Sequence, residues 1–284
     1  MLSFKDITFL EKNKKARDTQ GLFVAEGRKL FLEAPAGRIV QVLMTRRFAE
    51  ENPDLLPKIP AGADVVADID EARFFSLSDT KTPQGILTVL RKMDWRMEDV
   101  LPGLGFKGLS APLYLILENL QDPGNAGTML RTGEAAGVTA VFLTEGSVDL
   151  YSPKTIRSTM GAIFRVPHFE IGRGAGAAGA WAASGRREDS GIGISDIQEL
   201  IAFLKSREVG VYAAHLRGKA VYTGCDFRRG TAFVIGNESR GISGETARAC
   251  SELIRIPMMG QVESLNAAMA AGILMYEAQR QRRL

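Results

Sequence analysis

Short, unbroken apolar runs alternate along this chain with stretches whose apolar residues return every three or four positions. The runs at 113–117 (LYLIL), 140–144 (AVFLT) and 231–235 (TAFVI) predict strands buried on both faces, and 211–215 predicts another. Helices are predicted near 126–136, 153–160 and 197–207, with a long one over 264–282. Strands alternating with helices imply an α/β fold with a mostly parallel sheet. In such sheets ligands gather beyond the carboxyl ends of strands, which singles out loops 118–126, 236–243 and 257–264. Toward the amino end the pattern is mixed: a short helix over 28–34 and strands at 39–44 and 86–90. Residues 94–110 collect Asp94, Asp99, Pro102, Gly103, Gly105 and Gly108, and mark a boundary. The expected division is a first domain over 1–104, a linker over 105–111 and a second domain over 112–284.

Residues 172–191 break the pattern, because twelve of the twenty are Gly or Ala. They include a literal G-x-G-x-x-G at Gly174, Gly176 and Gly179, so a dinucleotide site and a nicotinamide oxidoreductase must be weighed. That fingerprint needs a strand before it and a full helix after it. Here Ser184-Gly185-Arg186-Arg187 ends any helix early, so a mobile surface loop is expected instead.

The composition is that of a globular chain, with 45% apolar and 24% charged residues. Two cysteines, Cys225 and Cys250, cannot build a disulfide framework and suggest a reducing, cytoplasmic setting. Residues 264–276 carry no charge but are too few to span a bilayer, and the amino end lacks the apolar core of a signal peptide. No metal is expected, since neither His168 nor His215 nor either cysteine falls in a zinc-binding spacing. The net charge of +3 is modest, with residues 1–105 balanced at 16 Lys/Arg and 16 Asp/Glu. Basic side chains nevertheless cluster at both ends, seven within 1–30 and three within 280–283, where they could meet phosphates.

Three loops carry candidate chemistry. The first, Glu118 to Gly127, places Asn125 where a helix N-cap belongs, with Arg131 six residues on among small or apolar neighbours. An arginine on that background expects an anion or a carboxylate. The second loop, Gly236-Asn237-Glu238-Ser239-Arg240-Gly241, follows a buried strand. The third runs from Ile256 through Pro257 and Gly260 to Ser264-Leu265-Asn266, with Ser264 as the expected N-cap of an Ala-rich, slim helix.

Together these motifs (N-x-G-x-x-x-R-T, then I-G-N-E-x-x-G-I-S, then I-P-M-x-G-x-x-x-S-L-N) resemble the SpoU/TrmH family of RNA ribose 2′-O-methyltransferases, in the SPOUT superfamily. The likeness covers 112–284. Residues 1–104, with Phe23-Val24-x-Glu26-Gly27 and Lys81-Thr82-Pro83-Gln84-Gly85, resemble more loosely the family's small L30e-like substrate-binding domain. The resemblance implies a deep trefoil knot in the second domain, S-adenosylmethionine as cofactor, and a homodimer packed through the knotted domain. It implies Gly236, Ile256 and Leu265 as cofactor contacts, and Asn125, Arg131, Glu238, Ser264 and Asn266 as catalytic and substrate-orienting residues. One departure is Ala268, where the family commonly has a second serine.

Methyl transfer to a ribose hydroxyl is an in-line displacement in which positioning supplies much of the acceleration. A guanidinium holds its protons, so Arg131 is expected to bind a neighbouring phosphate and steady the emerging alkoxide, while Asn125 and Asn266 orient the ribose. Glu238 would fix the loops or orient Arg131, and Arg157 or Lys154 would add phosphate contacts. Ribosomal RNA is the favoured substrate, 23S in particular. The alternatives are a tRNA ribose methyltransferase and a non-catalytic ribosome-assembly factor on the same fold.

Overall fold

The computed structural model describes residues 1–108, 111–172 and 194–283. They form two compact units that do not follow chain order: residues 1–94 with 149–164, and the remaining described residues. The Gly/Ala-rich stretch expected to be a mobile loop lies, from residue 173 on, outside the described residues.

The first unit begins with α1 (Phe4–Lys12), α2 (Lys14–Gln20), β1 (Leu22–Glu26) and α3 (Arg28–Glu33). It continues with β2 (Ile39–Thr45), α4 (Arg46–Glu51), β3 (Asp64–Ile69), α5 (Glu71–Leu77) and β4 (Ile86–Arg91). Its sheet has the order β1-β4-β2-β3, antiparallel except at β2–β3. Ser3 and Asp6 start α1 with a reciprocal capping box, and Ile7 and Leu10 then pack with Phe74 and Leu77 of α5 over Leu43, Leu87 and Val89. β3 escaped the sequence pattern because Val65 stays 41% exposed, so its apolar residues do not mark one buried face.

Next in the chain come α6 (Met97–Val100), β5 (Leu113–Leu117), α7 (Pro123–Ala135), β6 (Ala140–Thr144) and α8 (Pro153–Thr159). They are followed by β7 (His168–Ile171), α9 (Ile197–Ser206), β8 (Gly210–Ala214), β9 (Ala220–Val221) and β10 (Thr231–Ile235). The last elements are α10 (Gly244–Ala249), β11 (Glu252–Arg255) and α11 (Ala267–Arg282). Of these, α8 belongs with the first unit. Tyr151, just before it, lies against Phe23 with ring centroids 4.8 Å apart, and its hydroxyl accepts from the Met93 N–H at 3.1 Å. Buried Arg17 meets Asp149 at 2.6 Å. Residues 95–104, expected in the first domain, pack instead with the second unit, where Val100 and Leu101 join Tyr114, Ile116 and Phe142 in its core.

The second unit is built on seven strands in the order β7-β6-β5-β10-β8-β11-β9, parallel at every junction. β5, β6 and β10 are buried at every residue, as central strands of a parallel sheet must be. β11 lies between β8 and β9, so the connection 215–219 has to cross it. Gly218 permits that crossing: a Cβ there would stand 2.7 Å from the Leu253 carbonyl oxygen and the Ile254 carbonyl carbon. Among the described residues no helix is long and apolar enough to cross a membrane.

Candidate active site

The three loops singled out from the sequence all leave carboxyl ends of parallel strands, after β5, β10 and β11. Local chemistry shapes each one. After β5, Asn119 turns the chain with a left-handed φ of 52°, its N–H donating to Thr144 Oγ1 at 2.8 Å. The chain then enters α7 through Asp122-Pro123. Here the expectation needs correcting: Asp122, not Asn125, is the N-cap. Its carboxylate accepts from the Asn125 N–H at 2.7 Å, and Pro123 sits at the first helical position, where its missing N–H costs nothing. Asn125 is therefore already helical, and its side chain is released for other work.

The second loop folds on itself. Asn237 and Gly241 exchange backbone hydrogen bonds at 3.1 and 2.9 Å, and Asn237 Oδ1 accepts from the N–H groups of Ser239 and Arg240. Gly236 makes this possible, because a Cβ would lie 2.3 Å from the Gly241 carbonyl carbon. The result pushes Glu238 outward at the tip.

The Glu238 carboxylate reaches the first loop. It accepts from the backbone N–H of Gln121 and Asp122, each at 3.1 Å, and from Asn125 Nδ2 at 3.0 Å. Partial burial pushes its pKa up, but these donors together outweigh burial and hold the carboxyl below its ordinary range. Asn237 adds a second tie, from Nδ2 to the Asn119 carbonyl at 2.8 Å. Of the two roles expected for Glu238, the one seen is to fasten loop to loop; no ion pair joins it to Arg131 among the described residues.

The third loop enters through Asn266. Asn266, rather than Ser264, caps α11, with Oδ1 accepting from the N–H groups of Ala268 and Met269. An asparagine carbonyl reaches these donors, whereas Ser264 lies two residues too early and is exposed. Asn266 Nδ2 then donates to Asn125 Oδ1 at 2.9 Å. A continuous polar chain, Asn266–Asn125–Glu238, thus links all three loops. With Asn125 Oδ1 accepting from Asn266 and Nδ2 donating to Glu238, both ends of the Asn125 amide are set.

Arg131 and Ser264 stand outside that chain. Arg131 is exposed on α7 and is in no ion pair among the described residues. Ile256 is half-buried just past β11, and Leu265 is 37% exposed beside Asn266. Arg157, expected on phosphate, is instead paired with Asp79 at 3.0 Å. The slim face of α11 packs within the unit: Ala268 and Ala271 are buried, and Gly272 lies where a Cβ would touch Thr132 of α7 at 3.6 Å.

Sequence reasoning passed over Glu118. This carboxylate is 5% exposed; Oε2 accepts from the Ser243 N–H at 2.9 Å and Oε1 from Thr246 Oγ1 at 2.8 Å. It clamps the end of the second loop and the start of α10 to the end of β5. The signal was present, since an acid directly after five buried strand residues needs donors of its own.

The SpoU rRNA Methylase family matches residues 112–185 and 175–276. The chain belongs to that family. Residues 3–88 of this SpoU methylase also match the MRM3-like substrate binding domain. Among relatives, the mitochondrial rRNA methyltransferase 3A of Danio rerio is 30% identical, over 97% of this chain and 67% of that protein. The 23S rRNA guanosine 2′-O-methyltransferase RlmP of Bacillus subtilis is 28% identical, over 93% of this chain and 90% of that protein. Among solved structures, the AdoMet-bound rRNA methyltransferase from Sinorhizobium meliloti superposes with a TM-score of 0.76 at 28% identity, covering 98% of this chain and 94% of that one. The α/β fold of the SpoU methylase, with its mostly parallel sheet, is the one shared with these methyltransferases.

Proposed function

We propose that this chain transfers a methyl group from S-adenosylmethionine to a ribose 2′-oxygen of ribosomal RNA, with 23S RNA the favoured substrate. The observation that carries the reading is the Asn266–Asn125–Glu238 chain at the carboxyl ends of β5, β10 and β11. The names of the relatives and the match to a substrate binding domain support it.

The residues present fit the cofactor. Leu265 and Val262 are exposed apolar side chains in the third loop, and Gly236 keeps the second loop in a tight turn at the end of β10 where a Cβ would not fit. When bound, S-adenosylmethionine supplies an electrophilic methyl carbon. Gly236, Ile256 and Leu265 would hold it. Asn125 and Asn266, fixed by each other and by Glu238, position the ribose so that the 2′-oxygen is presented in line. Arg131, exposed and with no carboxylate partner among the described residues, binds the neighbouring phosphate and steadies charge as it develops on the oxygen. A guanidinium donates hydrogen bonds but does not accept a proton, so the hydroxyl proton passes to solvent water at this exposed site. Ser264, exposed two residues before the cap, offers a hydroxyl to the same ribose.

The reading includes a homodimer and a knot. Met269 and Tyr276, one heptad apart on α11, are 61% and 53% exposed, which supports a partner on that face. A strand inserted between β8 and β9 under a five-residue crossing supports threading of the carboxyl-terminal segment. Two free thiols, Cys225 and Cys250, suit a reducing cytoplasm.

Incubation with methyl-labelled cofactor and total RNA, followed by mapping of ribose methylation, tests the proposal. Label in a ribose of ribosomal RNA is expected; label confined to tRNA, or none with intact cofactor binding, overturns it.

A further inference from the structure

The first unit carries a groove of about 370 Å³ between α1 and α5 that the methyl-transfer chemistry does not use. Its walls combine cations with aromatic rings. Lys5, Phe9 and Lys12 line it from α1, and Arg73 and Ser76 from α5. Helical spacing puts Lys5, Phe9 and Lys12 on one face, with the two ammonium groups at either end of a run of about 10 Å.

Three cations without a carboxylate partner among the described residues gather at this one groove. Lys5, Lys12 and Arg73 are exposed, and among the described residues none is in an ion pair. Elsewhere in the unit Arg28 and Lys58 share Asp54, and Lys29 faces Glu33. Two of the acids beside the groove are engaged elsewhere: Asp6 closes the capping box with Ser3, and Asp70 caps α5. Arg73 lies over the Phe4 ring at 4.0 Å, while Phe9 stays 52% exposed.

Uncompensated cations flanking an open aromatic ring match a flexible polyanion with flat, unstacked bases. A duplex keeps its bases stacked inside and gives Phe9 nothing to stack on. We infer that the α1–α5 groove binds a single-stranded stretch of the RNA substrate, with Lys5, Lys12 and Arg73 on phosphates and Phe9 against a base. This rests on the reading of RNA as substrate and adds where the first unit grips it.

The test uses the full chain and a fluorescent oligouridylate of about twelve nucleotides. Replacing Lys5, Lys12 and Arg73 together by alanine lowers the salt slope of binding by about 2, at about 0.7 per single-strand phosphate. Phe9→Ala weakens binding about 5- to 150-fold. Both variants keep the wild-type circular dichroism and melting curve, which shows that the first unit is folded, and the wild-type affinity for S-adenosylmethionine. A duplex of equal length binds more weakly and ignores Phe9→Ala. An unchanged slope in the triple variant beside a binding wild type overturns the site alone. Displacement by polyglutamate as effective as by oligouridylate also overturns it, in favour of an acidic polypeptide. A wild-type chain that binds no RNA overturns the methyltransferase reading as well.

Discussion

Replacing Glu118 by glutamine tests how far the second loop depends on a buried clamp. The change keeps the shape and replaces one acceptor by a donor. Its two neighbours leave no good place for that donor. Ser243 N–H is itself a donor, and Thr246 Oγ1 already accepts from Ser243 Oγ at 3.0 Å and Gln198 Nε2 at 3.3 Å. Either orientation of the amide therefore sets donor against donor or forces Thr246 to abandon a partner. Hydrogen bonds to a charged group are worth about 1.5–3 kcal/mol each, so losing one and weakening the other costs about 2–3 kcal/mol. For a unit of this size that lowers the melting temperature by about 4–12 °C. Glu118→Ala removes both bonds, and water entering the vacated space recovers part of the loss, so its cost is of similar size. Differential scanning fluorimetry reads the shift. Because the clamp holds the loop that carries Glu238, kcat on RNA falls as well, on the order of tenfold or more. A glutamine variant that melts with wild type and turns over at the wild-type rate would falsify the clamp.

Three further outcomes are expected. Gly218→Ala drives a methyl group into the backbone of β11 and costs about 3 kcal/mol, read as a lower melting temperature; an unchanged one would mean that the crossing is loose. Arg131→Lys keeps the charge but loses the two-pronged grip on phosphate, so activity drops at least about tenfold with cofactor affinity intact; full activity would remove the bidentate role. In the first unit, burial and then the nearby Glu26 and Asp79 carboxylates push the Glu11 carboxyl up to about 8 from 4.5. A carboxyl whose folded pKa is raised contributes stability that is complete below 4.5 and lost as pH rises through about 8, here roughly 4–5 kcal/mol. Glu11→Gln should flatten the fall in melting temperature between those limits, and parallel pH curves for the two proteins would contradict it.

Much of the second unit could be read before any coordinates, because its central strands are unbroken apolar runs. The strands at 113–117, 140–144 and 231–235 appear with those bounds, and the three chosen loops do meet. Local competition hid the caps. Asp122 before Pro123 and Asn266 before Ala267 each outbid a plausible neighbour, and in doing so they free Asn125 and commit Asn266 to two tasks. Short strands such as β7 and β9 hold too few residues to show a period. Pairings between distant segments leave no periodic trace either. Nothing near residue 254 announces that β11 slides between β8 and β9, nor does Tyr151 announce that it packs on Phe23. Glu118 was legible as a buried acid, but its partners lie more than a hundred residues away.

The place of β11 bears on how the protein is made. Until residue 255 leaves the ribosome, β8 and β9 face an unfilled slot with two raw hydrogen-bonding edges, so the sheet cannot close while the chain is growing. Shortened products ending before residue 252 would carry that open slot for good, inviting strands from neighbouring chains and precipitation. Synthesis of β11, from Glu252 to Arg255, is therefore what fills the slot and takes both open edges out of reach.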